Sequence, residues 1–415
     1  MRRSRPEPMP PLAVVAFTAI SCAGPGAAAL SALLRGTRTA LRENDFTRQP
    51  LRSFIGRVEG LEDRPLPGHW SAWDCRNNRL AWLALNQDGF LAAARAAIAR
   101  HGPTRVAVLM GTSTSSIGAS EDAYTRLTSD GHFPPDLSQA EVHSPHSLGA
   151  FVAHALGAAG PCMTVATACS SSAKVFAQAE RLIRCGLVDA AVVGGVDSLC
   201  NSVLFGFNSL GLMSSRVCRP FDADRDGINL AEAGGFVLLE SASTPTGQRT
   251  ALQLVGHGES SDAHHMSAPH PQGLGAREAM LQALSRADIE PTQVDYINLH
   301  GTATPKNDEV EARAVADVFP TSTRVSSTKG WTGHALGAAG VLESVLTLLA
   351  LKEGWVPGTL HCQQPDPGLG ERFGHMLQHR TVDMPIKIAM SNSFGFGGNN
   401  CSLVFARAAD AVPVP

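Results

Sequence analysis

Apolar residues in this chain fall in short continuous runs, separated by longer stretches rich in alanine and leucine. Runs at 106–110 (VAVLM), 163–168 (MTVATA), 190–193 (AAVV), 236–240 (FVLLE), 252–255 (LQLV), 296–299 (YINL), 324–327 (RVSS) and 387–390 (KIAM) have strand length and turn-forming flanks. Between them, 28–34, 78–100, 172–185, 277–287, 309–318 and 337–352 read as helices. Strands alternating with helices predict an α/β protein with largely parallel sheets covered on both faces.

The first apolar run, LAVVAFTAI at 12–20, needs separate treatment because Arg2 and Arg3 precede it and Cys22 follows it. That order imitates a lipoprotein signal. Pro6, Pro8, Pro10 and Pro11 interrupt the approach, and the run is only as long as a strand. We therefore expect a disordered tail over 1–10 and a buried strand over 12–20. No other run reaches the roughly 18–20 residues needed to cross a bilayer.

The pattern also repeats in a loose way. In one half, MTVATA leads through CSSS into AKVFAQAERLIRCG; in the other, TRVSST leads through KGWTGH into ALGAAGVLESVLTLLALKEG. The polar, turn-rich stretch 244–250 is the expected boundary, giving an N-terminal half over 11–249 and a C-terminal half over 250–415. A duplicated unit of this kind places one turn from each half at a shared site. A second repeat is deceptive: HALGAAG occurs at 154–160 and at 334–340, but the first copy precedes a strand and the second follows one. Small residues in tight helix packing account for both, so His154 is not promoted to a site.

Composition narrows the function classes. The 415 residues are 44% hydrophobic, 17% charged and 6% aromatic, with 40 glycines and a formal charge of −3. This supports a large core and gives no global reason to expect nucleic acid or an anionic membrane as a partner. The nine cysteines are scattered, without a CxxC pair or zinc-ligand spacing. Neither a disulfide framework nor a metal site is suggested, and a reducing cytoplasm fits best.

Among those cysteines, Cys169 ends an apolar run and opens a helix between Ala168 and Ser170, Ser171 and Ser172. At a helix N-terminus, unpaired N–H groups and the macrodipole favour a thiolate, the reactive form, and can steady an oxyanion. A buried structural cysteine is the plain alternative. Two histidines strengthen the functional reading: His300 follows DYINL in HGTATPKND, and His334 lies in SSTKGWTGH, each at the end of a strand. Lys329 lies five residues before His334 and can tune an imidazole. NSFGFGGNN at 392–400 surrounds Phe394 and Phe396 with glycines that allow close approach or swinging, and no nucleotide-loop pattern accompanies it.

Together TACSSS (167–172), HGTATPKNDEVE (300–311), SSTKGWTGHALGAAG (326–340) and NSFGFGGNN resemble the elongating β-ketoacyl-[acyl-carrier-protein] synthases of the thiolase superfamily. The resemblance implies a five-layered α-β-α-β-α fold of two duplicated halves, present as a homodimer or as a heterodimer with a related chain-length subunit. It implies that Cys169 takes an acyl chain from an acyl carrier protein, and that His300 and His334, as neutral Nε2 donors, promote decarboxylation of a malonyl thioester. Lys329 completes the catalytic set. The N–H groups of Cys169 and Phe396 match an oxyanion hole, Phe396 an aromatic gate, and Thr302 and Thr304 the contacts to the phosphopantetheine arm. Asp308, Glu311, Glu343 and Phe394 match supporting positions, and SSDAHHMSAPHP (260–271) a mobile loop beside the gate. No cofactor or metal is implied beyond the carrier's own arm.

Asn399 departs from the threonine of many relatives. WDCRNNRLAWLALNQDGF (73–90) and MGTSTSSIG (110–118) resemble the ketosynthases of bacterial aryl polyene clusters; a general fatty-acid or other type II polyketide synthase is the alternative. A non-catalytic chain-length subunit would lack Cys169 or a histidine. A degradative thiolase would need a second site cysteine, for which Cys362 and Cys401 are poorly placed. An initiating synthase would carry Asn where His334 stands. Arg76, Arg79, Arg216, Arg219 and Arg225 are candidate contacts for an acidic carrier.

Overall fold

A computed structural model describes residues 7–135 and 140–408. Its organising element is an 11-stranded mixed sheet in which two five-stranded halves meet edge to edge and the short strand Gly24–Pro25 pairs with the first strand off that path. The N-terminal half contains β1 (Leu12–Ser21), β2 (Val106–Gly111), β3 (Cys162–Val165), β4 (Ala190–Asp197) and β5 (Ala233–Ser241). The C-terminal half contains β6 (Leu252–Ser261), β7 (Tyr296–Asn298), β8 (Arg324–Ser326), β9 (Ile388–Gly395) and β10 (Asn399–Arg407).

The spatial orders are β3-β2-β4-β5-β1 and β8-β7-β9-β10-β6. Numbered within each half, both are 3-2-4-5-1, with the same strand senses. The halves join where Leu12 and Ala13 of β1 pair antiparallel with Leu254 and Gln253 of β6. LAVVAFTAI thus lies in a central strand.

The sheets are less parallel than the alternation of elements suggests. Only β3-β2-β4 and β8-β7-β9 run parallel; the remaining pairs of each half are antiparallel. The cause is connection length. A parallel neighbour needs a crossover of a dozen or more residues, whereas β9 and β10 are joined only by Phe396–Gly398. Strand β10 was not among the expected runs because it follows the glycine-rich segment directly.

Helices cover both faces. They include α1 (Gly26–Arg35), α2 (Arg76–Leu85), α3 (Phe90–His101), α4 (Ser147–Leu156), α5 (Ser171–Arg184), α6 (Asn201–Ser209), α7 (Leu274–Ala287), α8 (Pro305–Val318) and α9 (Ala339–Glu353). Alternating strand residues explain the layering. Val108, Val192 and Leu238 pack outward against α2, α3 and α4. Leu109, Val193 and Val237 pack inward with Phe176 of α5 and Val345 of α9. Ile297, Met390 and Val404 face α7 and α8 on the far side. The result is helices, sheet, helices, sheet, helices.

Helix α9 is buried on every side from Ala339 to Leu351, as its apolar sequence requires. It lies so close to α5 that a Cβ on Gly340 would come within 2.6 Å of the Ala173 nitrogen.

Two further expectations change. The helix read over 78–100 is split into α2 and α3 at Asp88 (φ 51°) and Gly89 (φ 71°). The break has a purpose: the Asp88 carboxylate accepts from Thr18 Oγ1 at 2.7 Å and Ala27 N at 2.9 Å, fastening β1 to the start of α1. Of the tail expected to be disordered, residues 1–6 lie outside the described residues. Met9 is buried in the central core, and its N–H donates to the Arg286 carbonyl at 2.8 Å, so order extends into 1–10. Among the described residues, no helix is long and apolar enough to cross a membrane.

Candidate active site

The turn after β3 sets the position of Cys169. Ala168 adopts a left-handed backbone (φ 52°), a conformation that costs a non-glycine residue about 1–3 kcal/mol. The serines hold it there. Ser171 Oγ donates to the Ala168 carbonyl at 2.6 Å and accepts from Thr167 N at 2.9 Å, while Ser170 Oγ donates to the Thr167 carbonyl at 2.9 Å. Ser172 Oγ accepts from Val341 N at 2.9 Å, tying α5 to α9. All three serines are buried. Their small size leaves room at the site, as expected from sequence, and their hydroxyls also build the elbow.

Cys169 is only 5% exposed. Burial pushes its thiol up to about 11, against the opposing pull of Lys329 and the Phe396 N–H. The expectation that placement at the helix start would favour the thiolate is thereby corrected. In the resting site desolvation prevails, and the sulfur carries its proton.

His334 approaches from the equivalent turn of the other half. Its Nε2 lies 3.1 Å from Cys169 Sγ, and its Nδ1 accepts from Leu336 N at 3.2 Å. An accepting Nδ1 places the proton on Nε2, so the imidazole directs an N–H at the sulfur. Leu336 takes a left-handed φ of 53° to present that N–H. Main-chain bonds fix the segment: His334 N donates to the Asn229 carbonyl at 2.8 Å, and Ala231 N to the His334 carbonyl at 2.9 Å.

His300 follows β7 and meets the His334 ring edge-on, with centroids 5.3 Å apart. Phe394 lies 6.2 Å from it on another side. Burial holds both imidazoles well below the ordinary histidine range, the Lys329 cation lowers them further, and His334 adds to the effect on His300. Both rings are neutral. The sequence expectation credited Lys329 for this; desolvation is the larger cause.

Lys329 is 1% exposed, and its ammonium donates to the His300 carbonyl and to Glu343 Oε1. Burial pushes Glu343 up to about 7, while Lys329 pulls it down. Glu311 accepts from His300 N at 2.8 Å and Gly301 N at 2.7 Å, which opposes the burial that takes it up to about 7. Asp308, raised to about 6 by burial, accepts from Phe221 N at 2.8 Å and Ala303 N at 3.2 Å. The two carboxylates on α8 therefore shape the 300–303 turn, and Glu343 anchors the lysine.

Cys169, His300 and His334 line one wall of a cavity of about 400 Å³, with Thr302, Thr304, Phe394 and Phe396 also in its lining. Thr302 Oγ1 and Thr304 Oγ1 are 2.8 Å apart. Phe396 stacks on Phe207 of α6, with centroids 5.5 Å apart and planes at 24°. A Cβ on Gly395 would come within 2.9 Å of the Thr167 carbonyl oxygen, so glycine is what lets this loop close over the elbow. The 260–271 loop meets it through the main chain: Gly397 N donates to the Met266 carbonyl at 2.8 Å, and Asp262 N to the Gly398 carbonyl at 2.9 Å. Asn399 Oδ1 accepts from Lys174 Nζ at 3.2 Å, so the departure at this position has a partner of its own.

Known proteins are similar to this chain over most of its length. The β-ketoacyl synthase N-terminal domain matches residues 75–244, and the C-terminal domain matches 252–363. A 3-oxoacyl-[acyl-carrier-protein] synthase 2 of Staphylococcus aureus (strain COL) is 33% identical over 73% of this chain and 75% of its own length. The chain belongs to the β-ketoacyl synthase family. It is an acyltransferase of that class.

The mitochondrial 3-oxoacyl-[acyl-carrier-protein] synthase of Arabidopsis thaliana is 40% identical over 60% of this chain, and the match spans 57% of that enzyme. In structure, the ketosynthase ApeO of Xenorhabdus doucetiae, solved in complex with its chain length factor ApeC, superposes with a TM-score of 0.84 at 36% identity, covering 96% of this chain and 98% of its own. The thiolase-like fold is shared.

Other residues of this synthase were missed or misjudged in the sequence. Asp197, fully buried at the end of β4, accepts from the turn at 112–114 and from Gly337 N at 2.6 Å, three residues beyond His334. Its signal was a lone acid closing the apolar run AAVVGGVD, since a buried carboxylate must find donors. Phe207 gave no signal.

Four of the five candidate docking arginines are engaged within the fold: Arg76 with buried Glu232, Arg79 with Asp74, Arg216 with Asp226, and Arg225 with Asp366. Arg219 has no ion-pair partner among the described residues. Cys362 and Cys401 are buried outside the cavity lining, and His154 stacks on Trp73 with centroids 6.2 Å apart.

Proposed function

We propose that this synthase joins two thioester-bound acyl units by decarboxylative condensation on an acyl carrier protein. The observation that carries the reading is the pair of neutral imidazoles around Cys169, one with Nε2 at 3.1 Å from the sulfur, at the wall of an otherwise largely apolar cavity. In the first half-reaction, the sulfur attacks the carbonyl of an acyl thioester and the carrier thiol leaves with the proton. The N–H groups of Cys169 and Phe396 stabilise the oxyanion.

In the second, the malonyl C–C bond to its carboxylate breaks and CO2 departs. Negative charge moves onto the thioester oxygen, towards which His300 and His334 serve as donors. The carbanion then attacks the acyl carbonyl, the C–S bond to Cys169 breaks, and a β-ketoacyl thioester forms. A cation on either ring would instead attract the malonyl carboxylate and retard its loss, so the burial that keeps both neutral serves the step.

The finer reading is elongation of an aryl-primed polyene with a chain-length subunit as partner. It is supported by the 73–90 and 110–118 segments and by the full-length likeness to a ketosynthase solved with its chain length factor. A non-catalytic subunit is disfavoured, since the cysteine and both histidines are present and converge.

Cys169→Ala should abolish covalent loading from a radiolabelled acyl-carrier thioester. His300→Ala and His334→Ala should load normally and release no CO2 from malonyl-carrier. Label retained by the cysteine variant, or normal CO2 release by both histidine variants, would refute the assignment. Mass spectrometry of the chain trapped on Cys169 decides the polyene question; a saturated chain would refute that part alone.

A further inference from the structure

Of the polar side chains that line the cavity, two point to a function the reaction itself does not need. Lys306, exposed near the start of α8, has no ion-pair or hydrogen-bond partner among the described residues. Cations nearby are engaged: Lys329 with Glu343, Arg225 with Asp366, Arg313 with Glu309, and Lys174 with Asn399. His265, in the 260–271 loop, lines the same cavity. Its Nδ1 accepts from Ser267 N at 3.1 Å and Ala268 N at 3.2 Å, which leaves the ring proton on Nε2 as an unused donor. The one carboxylate in the lining, Asp262, is occupied by Asn400 Nδ2 at 2.8 Å and His270 N at 2.9 Å and does not neutralise the lysine.

We infer that Lys306, with His265 facing the same space, forms a subsite for the phosphodiester of the carrier's phosphopantetheine arm. The inference rests on the condensing-enzyme reading above. Three arguments support it. The rest of the lining is dominated by Phe207, Leu210, Leu212, Ile228, Phe394 and Phe396, which suit the acyl chain and offer nothing to an anion. Thr302 and Thr304 place neutral hydroxyls between His300 and Lys306 in sequence, and a pantetheine arm has its neutral amides between thioester and phosphate. An ammonium that is exposed yet recessed in a cavity of low polarity gains more from a phosphate than a fully solvated one does. A carboxylate on the carrier surface would meet the same cation, and the test separates that source.

The experiment compares malonyl-phosphopantetheine with malonyl-pantetheine, neither attached to a protein, as substrates for CO2 release by the full-length enzyme. The wild type should favour the phosphorylated thioester in kcat/KM. Lys306→Met should lower that ratio about tenfold, mainly through KM, and Lys306→Arg should keep it. An unchanged ratio in the methionine variant overturns the inference, as does a wild type indifferent to the phosphate. That result, with weakened use of intact malonyl-carrier, would assign the cation to the carrier surface instead. Absence of CO2 release from any malonyl thioester by the wild type would count against the condensing reading itself.

Discussion

Replacing Asp197 with asparagine tests how the hidden framework governs the reacting groups. The carboxylate is fully buried and collects six donors. Oδ1 accepts from Thr112 Oγ1 at 2.5 Å, Thr114 N at 2.9 Å and Thr114 Oγ1 at 2.7 Å; Oδ2 accepts from Ser113 N at 2.9 Å, Ser113 Oγ at 2.8 Å and Gly337 N at 2.6 Å. Asparagine turns one oxygen into a donor. The hydroxyls can rotate to accept from it, but a backbone N–H cannot: in one amide orientation Thr114 N loses its oxygen, and in the other Gly337 N loses its shorter bond and keeps only Ser113 Oγ at 3.0 Å. An orphaned buried donor costs about 1–3 kcal/mol, and the remaining bonds lose their charge assistance, so Asp197→Asn should cost about 2–4 kcal/mol.

The effect should reach the chemistry as well. Gly337 adjoins Leu336, whose N–H fixes the tautomer of His334. We expect a lower denaturation midpoint with an unchanged m-value in guanidinium, and CO2 release reduced by more than covalent loading. If the variant kept wild-type stability within 0.5 kcal/mol and released CO2 normally, the argument would fail.

Further outcomes follow from the same geometry. With its thiol near 11, Cys169 is ionised to roughly one part in a thousand at pH 8, so alkylation by iodoacetamide should rise about tenfold per pH unit from 7 to 10. Peptide mass spectrometry that showed a plateau near pH 8 would contradict the buried, protonated thiol. Lys329→Met and Glu343→Gln should each cost about 3 kcal/mol because each strands a buried partner, and the double variant should cost at least about 1 kcal/mol less than their sum. Strict additivity in denaturant melts would show that the pair is not coupled.

The nucleophile and His300 were legible because each closes an apolar run, where a polar side chain is conspicuous; His334 stands past its strand, beyond the helical turn Lys329–Thr332, and was legible from the motif around it. The duplication was legible for the same reason, since matching runs lead into matching turns. Strand direction was not: the pattern of β10 is the same whichever way it runs, and only the three-residue link to β9 fixes it. The break at Asp88–Gly89 did have a local signal, an Asp-Gly pair within QDGF, which the surrounding helix formers masked. The ion pairs were beyond reach, for Arg76 meets Glu232 across 156 residues of chain. Thiol ionisation was misjudged because the dipole is a property of local sequence, whereas desolvation depends on everything folded around it.

The close contact of α5 and α9 has a consequence for how the enzyme can fail. Cys169 lies just before α5, and His334 just before the turn that starts α9, so the distance between these two helices is the caliper that sets the sulfur–imidazole gap. The jaws are held by Gly340 against Ala173 and by Ser172 on Val341. A single methyl group at Gly340 would open them without touching substrate, and a misplacement of about 1 Å can cost a hundredfold in rate. Substitutions within this helix pair should therefore yield enzymes that fold and bind, yet load and condense out of step.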